Sequence, residues 1–371
     1  MPSKVTNYQC PNCTGPMKYD PKLGKLHCEY CESEYSVAEV ETIYAKAQAE
    51  AEAEDKAAQQ RYAKAEAEMG GAEEWSAGEA EHLRAYHCPS CGAELICDAN
   101  TAATSCVYCG NPSIVPGRLS GNLKPDLVIP FALTKENAVE TLKAFSKGKP
   151  LLPKAFSSRS HLEEVQGVYV PFWLFDGEAD GTAVFHAQKV RHWREGRYDV
   201  TETQYYELRR SGSLPFQRIP VDGSQKMDDD YMDSIEPFDY GGLVPFAESY
   251  LSGFLADKYD VDASASLSRA AERAKQSLMD HFRGTVDMGY SAVTVRSEKL
   301  GFYPSRSAYA LLPVWLLHTR WKEKDYYYAI NGQTGRVAGD LPTSKARFFA
   351  WLFGLWGGLS VIAVLLRLFL G

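Results

Sequence analysis

The sequence predicts an α+β chain of five segments, and three observations carry that expectation. Eight of the nine cysteines fall into two identical frames near the N-terminus, a long run free of Gly and Pro separates the frames, and an uncharged apolar stretch lies near the C-terminus. The expected boundaries are 1–36, 37–86, 87–121, 122–342 and 343–371. Of the 371 residues, 45% are hydrophobic and 12% aromatic, which is apolar material for at least one sizeable core. A charged fraction of only 24% excludes a wholly disordered chain.

The formal net charge of −8 excludes a surface built to coat phosphate backbones by bulk electrostatics. The acidity is also local. Residues 37–86 carry 12 acidic against 5 basic side chains, whereas the chain from residue 122 onward carries 30 of each. Any contact with nucleic acid therefore has to be a local one.

The two frames are Cys10, Cys13, Cys28, Cys31 and Cys88, Cys91, Cys106, Cys109, each reading C-x2-C, fourteen residues, C-x2-C. The second repeats the first 78 residues on, so the module is duplicated within the chain. Thiolates two residues apart chelate one metal from a tight turn, and two such turns together make a tetrahedral sulfur-four site that suits Zn2+. Spacing alone leaves iron open. Disulfides are not expected, because the start MPSKVTNYQ has no apolar secretion segment. Four protein ligands leave no open position on the metal, so two structural zinc sites are expected and no catalytic one. In the second module Gly92 and Gly110 follow the ligands Cys91 and Cys109, where a positive φ eases the turn; the first module has Thr14 and Glu32 there and should be more strained. Cys97 stands where the first module has Tyr19 and reads as a strand residue. His27 and His87 each precede a ligand and are expected beside the cage or on the surface.

Between the frames, Val37 to Met69 is rich in Ala, Glu, Gln and Lys, which predicts one helix of roughly 45 Å joining the two modules. Tyr44, Ala51, Ala58 and Ala65 are seven apart and hint at a coiled coil, against the plainer reading of a solvated spacer. Residues 122–342 read as a mixed α+β domain. The run Tyr198 to Leu208 suits an exposed strand; Thr134 is placed to cap a helix carrying Ala138, Leu142 and Phe145; and Ser266 or Ser268 to start one carrying Ala274, Leu278 and Phe282, ending at Gly284. "VIPF" at Val128 and "VPFWLF" at Val170 are echoed by "LVPF" at Leu243 and "LPVWLL" at Leu312, which predicts two related halves sharing a sheet. Tyr328 to Gly335 reads as a strand closed by a Gly-rich turn.

Phe348 to Leu366 is nineteen residues without a charge, ~28 Å as a helix and close to the hydrocarbon thickness of a bilayer. A single-pass C-terminal transmembrane anchor is expected. Lys345 and Arg347 precede it and Arg367 follows, a bias that places the bulk of the chain in the cytoplasm, in agreement with the reducing compartment that zinc thiolates need. Gly354 and Gly358 form a G-x-x-x-G pair that would let two such helices approach.

No catalytic constellation emerges. Gly148, Lys149 and Pro150 lack the upstream glycine of a phosphate loop, and neither H-E-x-x-H nor G-x-S-x-G occurs. The cluster Asp228, Asp229, Asp230 and Asp233 lacks the Gly and distal Glu of a calcium loop and reads as a solvated loop. His186, His192, His281 and His318 are scattered without a paired nucleophile. The chain is accordingly expected not to be an enzyme, an activity of the 122–342 domain being the alternative left open.

The stretches "YHCPSCGAELICDANTAATSCVYCGNPSIVPGRL", "KPDLVIPF", "GVYVPFWLFD", "IPVDGSQKMDDDYMDSIEPFDY", "YLSGFLADKYDVD" and "NGQTGRVAGDLP" resemble those of bacterial TFIIB-type zinc-ribbon membrane proteins, from about Tyr86 to the tail. Such proteins are often labelled replication-restart or primosomal helicases by analogy, a label the missing motor motifs contradict here. The resemblance implies a cytosolic zinc-ribbon module tethered to the membrane, in some lineages encoded near flotillin-like scaffold proteins. The leading expectation is an adaptor presenting its ribbons to cytosolic protein partners. Nucleic-acid binding by a ribbon is the alternative, disfavoured because Arg118 is the only basic residue between His87 and Gly121 apart from the histidine itself.

Overall fold

The computed structural model describes residues 10–13, 15, 17–20, 24–68, 75, 83–98, 105–117, 123–153, 164–321 and 324–370. Thr14, Gly70, Gly71 and Arg118 lie outside the described residues, as do the side chains of Ala51, Ala58 and Ala65 in the expected heptad. The chain divides into two compact units, Met1–Ala67 and Glu68–Gly371.

In the first unit, β1 (Met17–Asp20), β2 (Lys25–Cys28) and β3 (Glu34–Tyr35) form an antiparallel sheet in that order. The helix α1 (Val37–Glu68) follows at once, 32 residues and about 48 Å long. Its strong helix formers explain its length, and a capping box fixes its start. The Glu39 backbone N–H donates to Ser36 Oγ at 3.2 Å, while Glu39 Oε2 accepts from the Ser36 N–H at 2.8 Å.

The second unit begins with β4 (Leu83–His87), β5 (Glu94–Asp98) and β6 (Val115–Gly117). Next come β7 (Leu127–Val128), α2 (Lys135–Ser146), β8 (Gln166–Glu195) and β9 (Tyr198–Asp222). The remainder is α3 (Asp229–Ile235), β10 (Val244–Pro245), β11 (Leu255–Asp257), α4 (Ala263–Gly284), β12 (Ala292–Trp321), β13 (Lys324–Asn331), β14 (Val337–Gly339) and α5 (Lys345–Leu370). One sheet runs β10-β7-β12-β8-β11-β5-β4-β6, with β9 added on β8 and β13, then β14, on β12. The second cysteine module is therefore stitched into the sheet of the region expected at 122–342.

At the centre, β8 and β12 run antiparallel from the pair Gln166↔Leu316 to Ala292↔Gln188. At the base, Val168, Val170, Phe172 and Leu174 alternate onto one core face with Ala308, Ala310, Leu312 and Val314. Farther out, Ala179, Ala183, Phe185 and Ala187 are buried, and α4 packs on β8, β9 and β12. Two sequence readings are corrected here. The helix α4 starts at Ala263 with Asp262 as its cap, Oδ1 accepting from the Ala265 N–H at 2.8 Å, so Ser266 and Ser268 lie inside it. The cluster at Asp228 is a capped helix rather than a loop, and Asp229 and Asp233 pair with Arg269 of α4 at 2.7 and 3.2 Å.

Two stretches carry a matching set of contacts. The Trp173 indole donates to Val261 O (2.8 Å) and the Trp315 indole to Leu133 O (3.1 Å), each carbonyl lying just before the cap of α4 or α2. Gly223 N–H donates to Pro171 O and Gly332 N–H to Pro313 O, at 2.9 and 2.8 Å. Asp222 Oδ1 accepts from the Ser224 N–H, and Asn331 Oδ1 from the Gln333 N–H. Short β7 runs parallel to β12 and short β11 parallel to β8, so each short strand leads through its helix into one long strand and pairs with the other.

Candidate metal centres

Each cysteine frame brings its four Sγ atoms together, all within 4.8 Å of one another. In the first, Cys10–Cys31 is 3.6 Å and Cys13–Cys28 is 3.4 Å; in the second, Cys88–Cys109 and Cys91–Cys106 are both 3.6 Å. A tetrahedral zinc with Zn–S bonds near 2.3 Å sets its sulfurs about 3.8 Å apart, so both cages fit such an ion. Zinc held there would supply cross-linking charge and no reaction, because the four thiolates complete its coordination.

The turns explain how the sequence builds these cages. Cys88 N–H donates to Ala93 O and Gly92 N–H to Cys88 O; Cys106 N–H donates to Asn111 O and Gly110 N–H to Cys106 O, all at 2.9 Å. The first module repeats the pattern with Cys28 N–H to Ser33 O and Glu32 N–H to Cys28 O. The second bond of each turn brings in a left-handed residue. Gly92 and Gly110 have φ of +72° and +68°, while Glu32 is driven to +59°, the strain its position implied. At Cys31, hydrogen bonding with Ser33 lowers the thiol to about 6, whereas burial pushes Cys106 up.

The two cages differ in surroundings. Cys88 and Cys106 are fully buried within the core that includes Val168, Phe172 and Leu312, and Cys91 and Cys109 pack against it. Strand β5 pairs with β11, Lys226 Nζ donates to Cys91 O at 3.4 Å, and Lys258 meets Glu94 at 2.7 Å. A Cβ on Gly110 would lie 3.1 Å from His318 Nδ1, so that knuckle rests on β12. Cys97 is buried in β5, outside the cage. His87 is exposed on β4, and His27 lies on β2 with a buried Nδ1.

Sequence reasoning missed the polar latch under the second cage. Tyr108, between the cage cysteines Cys106 and Cys109, donates to Asp257 Oδ2 at 2.7 Å, and Ser224 Oγ donates to the same oxygen at 2.6 Å. Burial raises the Asp257 carboxyl to about 7, and burial raises Asp222 as well. Asp257 Oδ1 and Asp222 Oδ2 are buried without a partner among the described residues. Tyr108 and Asp257 are 149 residues apart, so no local pattern foretells their contact.

Of the residues flanking the apolar segment, Lys345 opens α5, Arg347 donates to the carbonyl of Leu152, and Arg367 lies in the last turn. The segment Lys345–Leu368 is long and apolar enough to cross a membrane, and its apolar stretch is not buried against the rest of the chain. Gly354 and Gly358 face open space along it.

No protein-family model matches the chain, and no solved structure matches it. A curated relative does: the uncharacterized protein YdjG of Bacillus subtilis (strain 168) is 33% identical over 335 residues, covering 77% of this chain and 98% of the relative. Likeness of that degree over nearly the whole of the relative shows that the chain belongs to the same family as YdjG.

Proposed function

We propose that this protein is a membrane-anchored, cytoplasmic zinc-ribbon adaptor. In this reading α5 holds the chain in the bilayer, the second ribbon is a structural part of the large domain, and the first ribbon with α1 presents a surface to a cytosolic protein partner. One observation carries the proposal: two identical cysteine frames lie in different settings, one in the domain core and the other in a compact unit of its own. A small module of that kind cannot build a core alone and would take its order from zinc. Tyr19 and Tyr30 stand exposed on it, 55% and 75%, while Lys18 and Lys25 are paired with Glu29 and Glu34. Exposed aromatics beside neutralised lysines suit a protein surface better than a phosphate backbone. Flotillin-like scaffolds are the partner class that the family resemblance supports.

The matched contacts of Trp173 and Trp315 support reading the large domain as two related halves. Self-association through Gly354 and Gly358 belongs to the same reading. The test is crosslinking and affinity purification from membranes with the full chain, with a form lacking 348–371, and with Cys13→Ser. The proposal expects one stable partner for the full chain, its loss with Cys13→Ser, and release of the truncated form into the soluble fraction. Retention of the partner by Cys13→Ser, or salt-sensitive binding of DNA or RNA in its place, would defeat it.

A further inference from the structure

The three central strands break step at one level. Between β8 and β9 the pairs Phe175↔Ile219 and Gly177↔Phe216 enclose one residue of β8, Asp176, but two of β9, Gln217 and Arg218. Between β12 and β8 the pairs Pro304↔Gly177 and Arg306↔Asp176 leave Ser305 as an extra residue of β12. Both neighbours of β8 therefore bulge at Asp176. In the matching hairpin, β12 with β13, the pairing from Val314↔Asn331 to Trp321↔Lys324 runs through without a break. Bulges re-aim side chains, and a left-handed residue with a side chain is a cost that the surrounding structure must impose. Here that residue is Arg218, with φ of +57°. Its N–H donates to Asp176 Oδ1 at 2.7 Å, and its guanidinium to Tyr240 O at 2.8 Å.

Where the strands part, a cavity of about 310 Å³ opens. Its floor is the end of the apolar core face, Leu127, Leu174 and Ala308, and its rim is Asp176, Arg218 and Arg306. Along β8 the buried row Phe172, Leu174 gives way to Asp176, and along β12 the row Ala310, Ala308 gives way to Arg306. The Arg306 guanidinium is exposed, and among the described residues nothing accepts its hydrogen bonds, although Asp176 is its cross-strand neighbour. Asp176 has an oxygen engaged by the Arg218 backbone, and the rim carries two cations against one carboxylate.

We propose that this cavity binds a small amphiphilic oxyanion. Its carboxylate or phosphate head sits on the Arg306 fork with Arg218 beside it, and its apolar body lies on Leu127, Leu174 and Ala308. A planar guanidinium takes two oxygens of either head. The volume lies at the lower end for small-molecule sites, so the body is short rather than a pair of lipid tails.

The experiment is calorimetric titration of the full-length protein in lipid nanodiscs, with empty nanodiscs as the blank and hexanoate, hexyl phosphate and inorganic phosphate as probes. Hexanoate, hexyl phosphate or both should bind saturably, which tells a free carboxylic acid from a phosphate ester, and inorganic phosphate should bind more weakly. The variant Arg306→Gln, which removes no hydrogen bond or ion pair among the described residues, should weaken binding by about tenfold or more with an unchanged melting temperature, and Arg306→Lys should fall between. The proposal is overturned if neither amphiphile saturates, if Arg306→Gln binds as the wild type does, or if inorganic phosphate binds as tightly as hexyl phosphate.

Discussion

The two cysteine cages share spacing, turn hydrogen bonds and sulfur geometry, yet they stand in opposite relations to the rest of the chain. The first belongs to a unit of 67 residues whose described residues otherwise form three short strands and a helix, and it accepts a glutamate in a left-handed turn. The second is packed into the main core, uses glycine at both knuckles, and is latched by Tyr108 to a buried aspartate. One motif can thus order a small module by itself or serve as a cornerstone of a large sheet. What decides is the surface presented by neighbouring residues rather than the ligands.

Breaking each cage in turn sharpens this contrast most. Structural zinc contributes on the order of 10–16 kcal/mol in isolated fingers, comparable with or above the whole stability of a typical domain. Cys106→Ser should therefore abolish the main cooperative melting transition. Cys13→Ser should leave that transition in place and lose only the first ribbon. Zinc content per chain, read by elemental analysis, should fall by half in both.

The latch comes next. Because the Asp257 pKa is raised on folding, the folded state holds a proton that the unfolded state releases. The associated stability is full below pH 4 and is lost as pH rises toward 7. From pH 5 to pH 8 the wild type should lose about 3 kcal/mol relative to Asp257→Asn, which has no proton to give up. Denaturant unfolding of both proteins across that range checks this, and parallel profiles would contradict it.

Turn residues rank third. Gly110→Ala forces a left-handed alanine against His318 and should cost about 2 kcal/mol or more, whereas Glu32→Gly should stabilise the first ribbon by about 1 kcal/mol. Smallest is Ser36→Ala, which removes the cap of α1 and should cost about 1 kcal/mol, seen as faster hydrogen exchange in its first turn.

The grouping of the cysteines in two fours, the helix α1, the apolar helix α5 and the capping role of Thr134 were legible because each rests on a local period or spacing. The echo of "VPFWLF" in "LPVWLL" also pointed to the strands that pair at the centre, since buried strands read as apolar runs. Their 30-residue length did not show. Beyond Phe175 the small residues Ala179, Ala183 and Ala187 are buried on a strand against which α4 packs, and alanine carries little strand signal. Asp262 outcompeted Ser266 as a cap by lying at the true start of the helix, a difference of one turn that pattern alone cannot fix. The docking of the second ribbon and the paired bulges at Asp176 both depend on contacts between distant stretches. Arg306 and Arg218, 88 positions apart in the chain, gave no sequence signal of a shared cavity.

Zinc release tests the central contrast most directly. The full-length protein is mixed with a chelator and an alkylating reagent, and zinc loss is followed together with the labelling of each cysteine by mass spectrometry. Two phases are expected: one zinc leaves early as Cys10, Cys13, Cys28 and Cys31 are labelled, and the other leaves only with unfolding, when Cys88, Cys91, Cys106, Cys109 and buried Cys97 react together. A single phase, or labelling of the second set first, would contradict the account.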